Sequence, residues 1–266
     1  MPYRDPLARR HYAHNHIIDP THDITVTLVG VGGTGSVMLG LLARIHYSLL
    51  GLNREAGLKV QVFDPGIVRE ANVIRQLFHP SEIGSNKAIA LTTRINRFYG
   101  LDWEAYPDEY RSKRKGTSLD TANITITCTD DTQSRLNIKS ILKKPKTDRI
   151  FHEPMYWLDI GNRERDGQIV LGTVKMIKQP ESQHHTISKL PTILELYPDY
   201  KYLANESEQG PSCSLMEALR NQDLFINGTL AHLGANLLWK LFKDYYLEEH
   251  ALFLNLNSNI VKSKTV

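Results

Sequence analysis

Ile24-Thr-Val-Thr-Leu-Val-Gly-Val-Gly-Gly-Thr-Gly-Ser36 is the stretch that decides the fold of this chain. Its first half is β-branched and apolar, and its second half is glycine-rich. From residue 34 onward Val37, Leu41, Ile45 and Leu49 recur at helical spacing. The reading is a buried strand, a glycine turn and a helix over 34–50. Glycines there let the backbone turn tightly and approach a phosphate, whose charge the helix N-terminus favours. Gly30, Gly32, Gly33 and Gly35 are therefore candidate nucleotide-binding positions. A glycine turn that binds nothing is the competing reading.

Working outward, Gly51 and the polar stretch to Gly57 end the helix, and a second strand runs over 58–64. Asp64 closes it, where a carboxylate can accept hydrogen bonds from ribose hydroxyls. It lies further from the glycines than the usual ~20 residues, which the insertion at 53–57 explains. A surface aspartate in a turn before Pro65-Gly66 is the alternative. Residues 65–80 form a loop and 81–99 a helix. A short strand is expected at 101–106, then a hydrophilic loop, a strand at 122–129 and a helix at 132–143.

Further strands are expected at 151–158 and 168–174. The stretch 175–211 holds Pro180, Pro191, Pro198 and Pro211 and lacks periodicity, and a connection that long is functional or mobile. Residues 212–246 read as two helices broken near Gln222-Asp223, and 251–257 as a last strand. Alternation of strands with helices implies an α/β, Rossmann-like fold, a mainly parallel sheet with helices on both faces. Residues 1–22 read as an arm or short helix. Residues 23–266 read as one domain, with a nucleotide-binding half over about 23–145 and a second half over about 146–266.

The 266 residues are 41% hydrophobic and 23% charged with a formal net charge of +3, the composition of a globular protein. Basic residues are spread out. The one cluster, Arg111 to Lys115, reads as a solvated loop rather than a nucleic-acid site. No signal segment or long apolar run is visible, so the chain reads as cytoplasmic, without membrane contact. Two cysteines, Cys128 and Cys213, exclude a disulfide framework and a four-thiolate zinc site.

The polar residues that follow the glycine turn separate this chain from an ordinary dinucleotide-binding enzyme. In order they are Asp64-Pro-Gly-Ile-Val68, Asn72, Arg75-Gln76, then Gly84-Ser-Asn-Lys87, and later Cys128-Thr-Asp130-Asp131 with Arg135. In this series the chain resembles the ThiF/MoeB/HesA family, bacterial relatives of the ubiquitin-activating enzymes. That family's hallmarks are GxGGxGS, DxDxVxxxNxxRQ, GxxK and CTD(N/D)xxxR. The match is good over roughly 24–175 and looser in the last helical region.

The resemblance implies an adenylation domain with a crossover loop and C-terminal helices of the ThiF/MoeB type. It implies that Asn72, Arg75 and Lys87 surround the triphosphate of ATP, that Gln76 supports the glycine turn, and that Asp130 holds magnesium. It also implies that the C-terminal carboxylate of a ubiquitin-like or sulfur-carrier (ThiS/MoaD-like) protein ending in Gly is adenylated. Cys213, in Gly210-Pro-Ser-Cys213-Ser at a helix start, would then accept the acyl group as a thioester. For Cys128 the core reading wins. The resemblance further implies a homodimer in which Arg9 or Arg10 reaches the mate's ATP site, and a conjugating-enzyme-like partner.

Two departures stand out. The zinc-binding CxxC pairs of many members are missing, so no zinc is expected, and the family's DxD reads Asp64-Pro-Gly. Within the family, the Pro-Ser-Cys-Ser segment is similar to ThiF proteins of PRTRC-type or ubiquitin-like operons. A tRNA-modifying dehydratase is a more distant variant. From other classes, a nicotinamide-dependent dehydrogenase and a nucleotide-occupied scaffold remain open.

Overall fold

The protein is described by a computed structural model covering residues 8–52, 54–73, 75–111, 121–143, 153–162, 164–199 and 223–266. Strands β1 (Arg9–Tyr12), β2 (Ile24–Val29), β3 (Leu58–Phe63), β4 (Glu104–Tyr106), β5 (Ile124–Thr127) and β6 (Tyr156–Asn162) come first. They are followed by β7 (Asp166–Thr173), β8 (His185–Thr186), β9 (Tyr246–Leu247), β10 (Glu249–Asn255) and β11 (Ile260–Thr265). The helices are α1 (Asn15–Ile18), α2 (Gly33–Gly51), α3 (Lys87–Tyr99), α4 (Thr132–Leu142), α5 (Ile193–Leu196) and α6 (Ile226–Lys243). Among the described residues, no helix is long and apolar enough to cross a membrane.

Eight strands form the main sheet in the order β11-β10-β7-β6-β5-β2-β3-β4. The run from β6 to β4 is parallel, and β7, β10 and β11 add antiparallel partners at the other side. This is the expected α/β architecture with a largely parallel sheet. Its two faces differ because side chains alternate along each strand. Ile24, Val26 and Leu28 of β2, with Ile124, Ile126, Tyr156, Leu158, Ile169 and Leu171, face the larger core. Helices α2, α3 and α6 cover it with Met38, Leu39, Leu42, Leu91, Leu230, Leu238 and Leu241. Each such aliphatic side chain contributes about 1.5–3 kcal/mol on full burial.

Gly234 lets α6 lie close: a Cβ there would be 2.7 Å from Ile160 Cδ1 and 3.3 Å from Met38 Cε. The opposite face carries Thr25, Thr27, Thr125, Thr127 and Asp159 alongside Val29, Phe63 and Trp157, under α4 and α5. Several of its polar side chains bond across the strands. Gln61 Nε2 donates to Thr27 Oγ1 at 2.6 Å, and Thr25 Oγ1 donates to Asn123 Oδ1 at 2.9 Å.

Several expectations need correction. The helix expected over 81–99 begins only at Lys87. Residues 80–82 make a separate 3-10 turn, Gly84 at φ +87° reverses the chain, and Asn86 caps α3 by accepting from Ile89 N. The strands expected at 151–158 and 168–174 are β6 and β7, two tightly paired strands that start later and earlier respectively; Phe151 lies outside the described residues. The last expected strand is β10, and a turn with Asn259 at φ 52° then adds β11. The described part of 175–211 holds β8 and α5. Of the expected two-helix region, only α6 falls within the described residues.

The N-terminal stretch read as an arm is woven into the molecule. Strand β1 lies between β8, parallel, and β9, antiparallel. His11 is fully buried there. Its Nδ1 donates to the Ile187 carbonyl at 2.6 Å, so the bare Nε2 accepts from the Tyr156 hydroxyl at 3.1 Å. The Tyr156 oxygen in turn accepts from His14 N at 3.1 Å.

Burial lowers the His11 pKa to about 4, against a backbone bond to Ile187 that raises it and a nearby His250 that lowers it. The unfolded chain therefore binds more protons than the native one between about pH 6.5 and 4, and stability is lost as the pH drops through that window. Between about pH 7.5 and pH 5 this one group should remove about 2 kcal/mol. Urea unfolding at those two pH values should show His11→Gln less stable than wild type at the higher pH. The variant's loss on acidification should be smaller by about that amount. An unchanged loss would assign the acid sensitivity to other groups.

Candidate functional site

Strands β2, β3 and β5 end together, and the chain leaving each contributes to one cleft. The turn after β2 is built by close backbone contact. Gly30 sits at φ +85°, and a Cβ there would be 2.9 Å from the Cys128 carbonyl oxygen. A Cβ on Gly35 would lie 1.9 Å from the Gly30 carbonyl oxygen. Only glycine permits either approach. Gly32 caps α2 and stands nearly open, with only Gln76 Nε2 at 3.8 Å from its would-be Cβ. That open position at a helix N-terminus is where an anion can approach the backbone.

Asp64 holds this turn in place. Its Oδ2 accepts from Val31 N and its Oδ1 from Gly66 N, both at 2.7 Å. Two bonds leave each oxygen a further lone pair, which suits a ribose hydroxyl. Asn86 Nδ2 donates to the Asp64 and Gly66 carbonyls at 2.8 and 3.1 Å, and Lys87 N donates to Gly66 O at 2.8 Å. The stem of Lys87 therefore lies over Gly66, with Cδ 3.3 Å from where a Cβ would be.

The 3-10 turn at Glu70–Asn72 places the next residues. Asn72 Oδ1 accepts from Arg69 N at 2.9 Å, and the Asn72 carbonyl accepts from Gln76 N at 2.9 Å. Gln76 leans on the glycine turn with its Oε1 buried and without a partner among the described residues. Half-buried Arg75 and Lys87 both have lowered pKa values, chiefly through desolvation, which Asp130 opposes in each case. Asp64 also favours the Lys87 charge, and exposed Arg69 opposes it.

Asp130 is solvent-exposed on one side, yet the chain behind it desolvates the carboxyl and raises its pKa. Arg135, Arg75 and Lys87 pull the other way. The structure thus joins Asp64, Arg75, Lys87 and Asp130 in one electrostatic cluster beside the glycine turn. Positive groups beside an anion-binding turn suit a polyphosphate.

Among the described residues no three His, Cys, Asp or Glu side chains converge on a metal site. Magnesium needs no such cage, since one or two carboxylates and substrate phosphates commonly hold it. The single Asp130 carboxylate at the mouth fits that pattern. Cys128 packs against the main core, and burial and Asp159 push its thiol up, which leaves an unreactive thiol. Cys213 lies outside the described residues.

Arg10 does not point away from its own chain: its guanidinium pairs with Glu248 at 2.8 Å and lies 4.2 Å from the Tyr246 ring centre. That corrects one of the two arginines expected to reach a second copy, because a buried paired cation is committed. Arg9 is the exposed one. Two residues of the site escaped the sequence reading. One is Arg69. The other is Asn227, a buried polar residue in the first turn of α6, whose Oδ1 accepts from Thr34 Oγ1 at 3.0 Å.

An α/β fold with a glycine turn, cations and a carboxylate at its strand ends is that of a nucleotide-binding protein. More narrowly, the chain belongs to the ThiF family, whose profile matches residues 18–244. No curated protein sequence matches it. Among solved structures it is similar to E. coli MccB with ATP, at 13% identity and a TM-score of 0.55, covering 91% of this chain and 63% of that one. The E. coli MccB complex with AMPCPP and MccA gives 14% and 0.56, covering 91% and 63%. The microcin C7 biosynthetic enzyme MccB with N-formylated MccA gives 13% and 0.54, covering 91% and 64%. This chain thus spans less than two thirds of MccB, and at such identity the likeness is one of fold.

The Asn227 contact yields a test. A Cβ on Gly33 would lie 2.5 Å from Asn227 Cγ. Gly33→Ala should therefore weaken ATP binding severely, and Asn227→Ala alone only by about tenfold or less, roughly one hydrogen bond. In the Asn227→Ala background the penalty of Gly33→Ala should shrink, a coupling that calorimetry of the four proteins measures. Additive losses would show that the two residues act separately.

Proposed function

We propose that this protein uses ATP to adenylate the C-terminal carboxylate of a small ubiquitin-like protein ending in Gly. The observation that carries this is the convergence of Asp64, Arg75, Lys87 and Asp130 on one glycine turn, since a bare dinucleotide site has no use for that set. Membership of the ThiF family supports it. MccB structures that hold ATP, AMPCPP or MccA support a nucleotide and a small peptide-like substrate in this fold.

In this reading Gly32 and the α2 N-terminus face the phosphates, and Asp64 meets the ribose while steadying Val31. Asn72, Arg75 and Lys87 surround the triphosphate. The partner carboxylate attacks the α-phosphorus, the bond to the bridging oxygen breaks, and pyrophosphate leaves with the electron pair. Cations neutralise the growing charge, and alignment supplies most of the remaining rate. Asp130 would hold magnesium, which supplies further charge neutralisation on the phosphates.

Cys213 would next attack the acyl-adenylate, releasing AMP and leaving a thioester. A sulfur-carrier protein of ThiS/MoaD type is the close alternative substrate. A conjugating-enzyme-like protein as thioester acceptor, a homodimer in which Arg9 reaches the mate, and a cytoplasmic setting belong to the same proposal.

Partner-dependent exchange of labelled pyrophosphate into ATP tests the first step. Lys87→Ala and Asp130→Ala should each lower it about 10²-fold or more with the fold intact by circular dichroism. Cys213→Ala should keep exchange but lose the thiol-sensitive adduct on a non-reducing gel, while Cys128→Ala should keep both. Tight NAD binding without ATP binding would replace this reading with a dehydrogenase.

A further inference from the structure

We propose that Asp159 is a positioning residue that fixes the Asp130 turn from both flanks, through Thr127 and Arg135; this rests on the adenylation reading above. Thr127 ends β5, three residues before Asp130, and Arg135 lies in the opening turns of α4, five residues after it. Both reach one oxygen. Asp159 Oδ1 accepts from Thr127 Oγ1 at 2.5 Å and from Arg135 Nε at 2.8 Å. Trp157 Nε1 donates to Thr127 Oγ1 at 2.9 Å, which aims the threonine proton at Asp159.

The slot for this pair is shaped to it. A Cβ on Gly161 would be 2.8 Å from Arg135 Nη2 and 2.6 Å from Gln168 Nε2, so a larger residue there would press on the guanidinium. The ion pair is almost wholly enclosed, with the Arg135 and Asp159 side chains 3% and 1% exposed. Asp159 Oδ2 is buried without a partner among the described residues.

Such a pair is a poor choice for stability alone. Two well-packed apolar side chains in place of a buried ion pair are commonly neutral or stabilising. What an apolar pair would lack is a directional hold on the ends of β5 and α4. Between those ends the turn has further fixed points: Cys128 N donates to Val29 O at 2.9 Å, and Asp131 caps α4 by accepting from Gln133 N and Ser134 N. Asp130 is then the one acidic side chain of the turn left facing the cleft. Arg135, so held, is also foremost among the three cations acting on that carboxylate.

The test separates holding the turn from holding the fold. The double variant Asp159→Leu/Arg135→Met replaces the buried pair, and Thr127→Val cuts one flank while the ion pair stays. ATP affinity is measured by calorimetry with chelator and again with magnesium, beside thermal unfolding. The double variant should unfold near the wild-type temperature and bind ATP in chelator as wild type does. Its gain in affinity on adding magnesium should be at least about tenfold smaller. Thr127→Val should shift the same way by less, and Thr127→Ser, which keeps the hydroxyl, should restore the wild-type value.

A folded double variant with the wild-type magnesium response overturns the proposal. If the double variant does not fold, a wild-type response in Thr127→Val overturns it equally. Wild-type protein that binds no ATP at all would instead overturn the adenylation reading.

Discussion

The site depends on one backbone crossing. The Gly35 Cα passes so near the Gly30 carbonyl that a Cβ would sit 1.9 Å from its oxygen, and Gly30 itself rests against the Cys128 carbonyl. This crossing brings the ends of β2 and β5 and the start of α2 into one place. Asp64 then adds the end of β3 by bonding Val31 N and Gly66 N. Everything charged in the cleft is placed relative to these contacts. Lys87 arrives through Gly66 and Asn86, Arg75 through the turn at Asn72, and Asp130 through the chain leaving Cys128. A nucleotide would meet a surface already built, which limits the ordering cost on binding.

The unequal faces of the sheet follow from a division of labour. The face under α2, α3 and α6 is aliphatic and supplies most of the burial. On the other face Gln61 bonds Thr27 and Thr25 bonds Asn123 across β2, β3 and β5, and at the exit of β5 Thr127 joins Asp159 and Arg135. Hydrogen bonds have direction where apolar contacts do not, so the polar face is the one able to set the angle at which strand ends leave the sheet. That matters most for β5, whose exit carries Asp130. Desolvating these groups opposes folding, and the large aliphatic core is what offsets it.

Much of this was legible in the sequence. The strand, glycine turn and helix at 24–51 stand as read, because periodicity changes sharply from two to 3.6 at Gly30 to Gly33. Asp64, Arg75, Lys87 and Asp130 were picked out by their order along the chain, and Lys87 lies within electrostatic reach of the other three. The start of α3 was misread because Ser81 and Asn86 are both good caps, and only the positive φ of Gly84 decides between them. The weave of β1 was invisible, since a four-residue strand pairing with residues 185–186 and 246–247 leaves no local pattern. Asp159 and Asn227 were missed for a similar reason. Each is a buried polar residue whose partner comes from a distant part of the chain.

Asn227 bears on how the last helix is tied to the glycine turn. It opens α6 and touches the glycine turn through Thr34, so the C-terminal helix begins at the nucleotide site. On the other side, α5 is set down on β7 by Ile193 and Leu194 in the second core. The two described elements that flank Cys213 in the chain thus sit on different parts of the sheet: α5 on β7 near Gly172, and the start of α6 at the glycine turn. Cys213 precedes Asn227 by fourteen positions (227 − 213). Fourteen residues of chain set an outer limit of about 50 Å on its distance from that helix start. What the contact adds is coupling: a change at the glycine turn on nucleotide binding meets Asn227 through Thr34, and with it the start of α6.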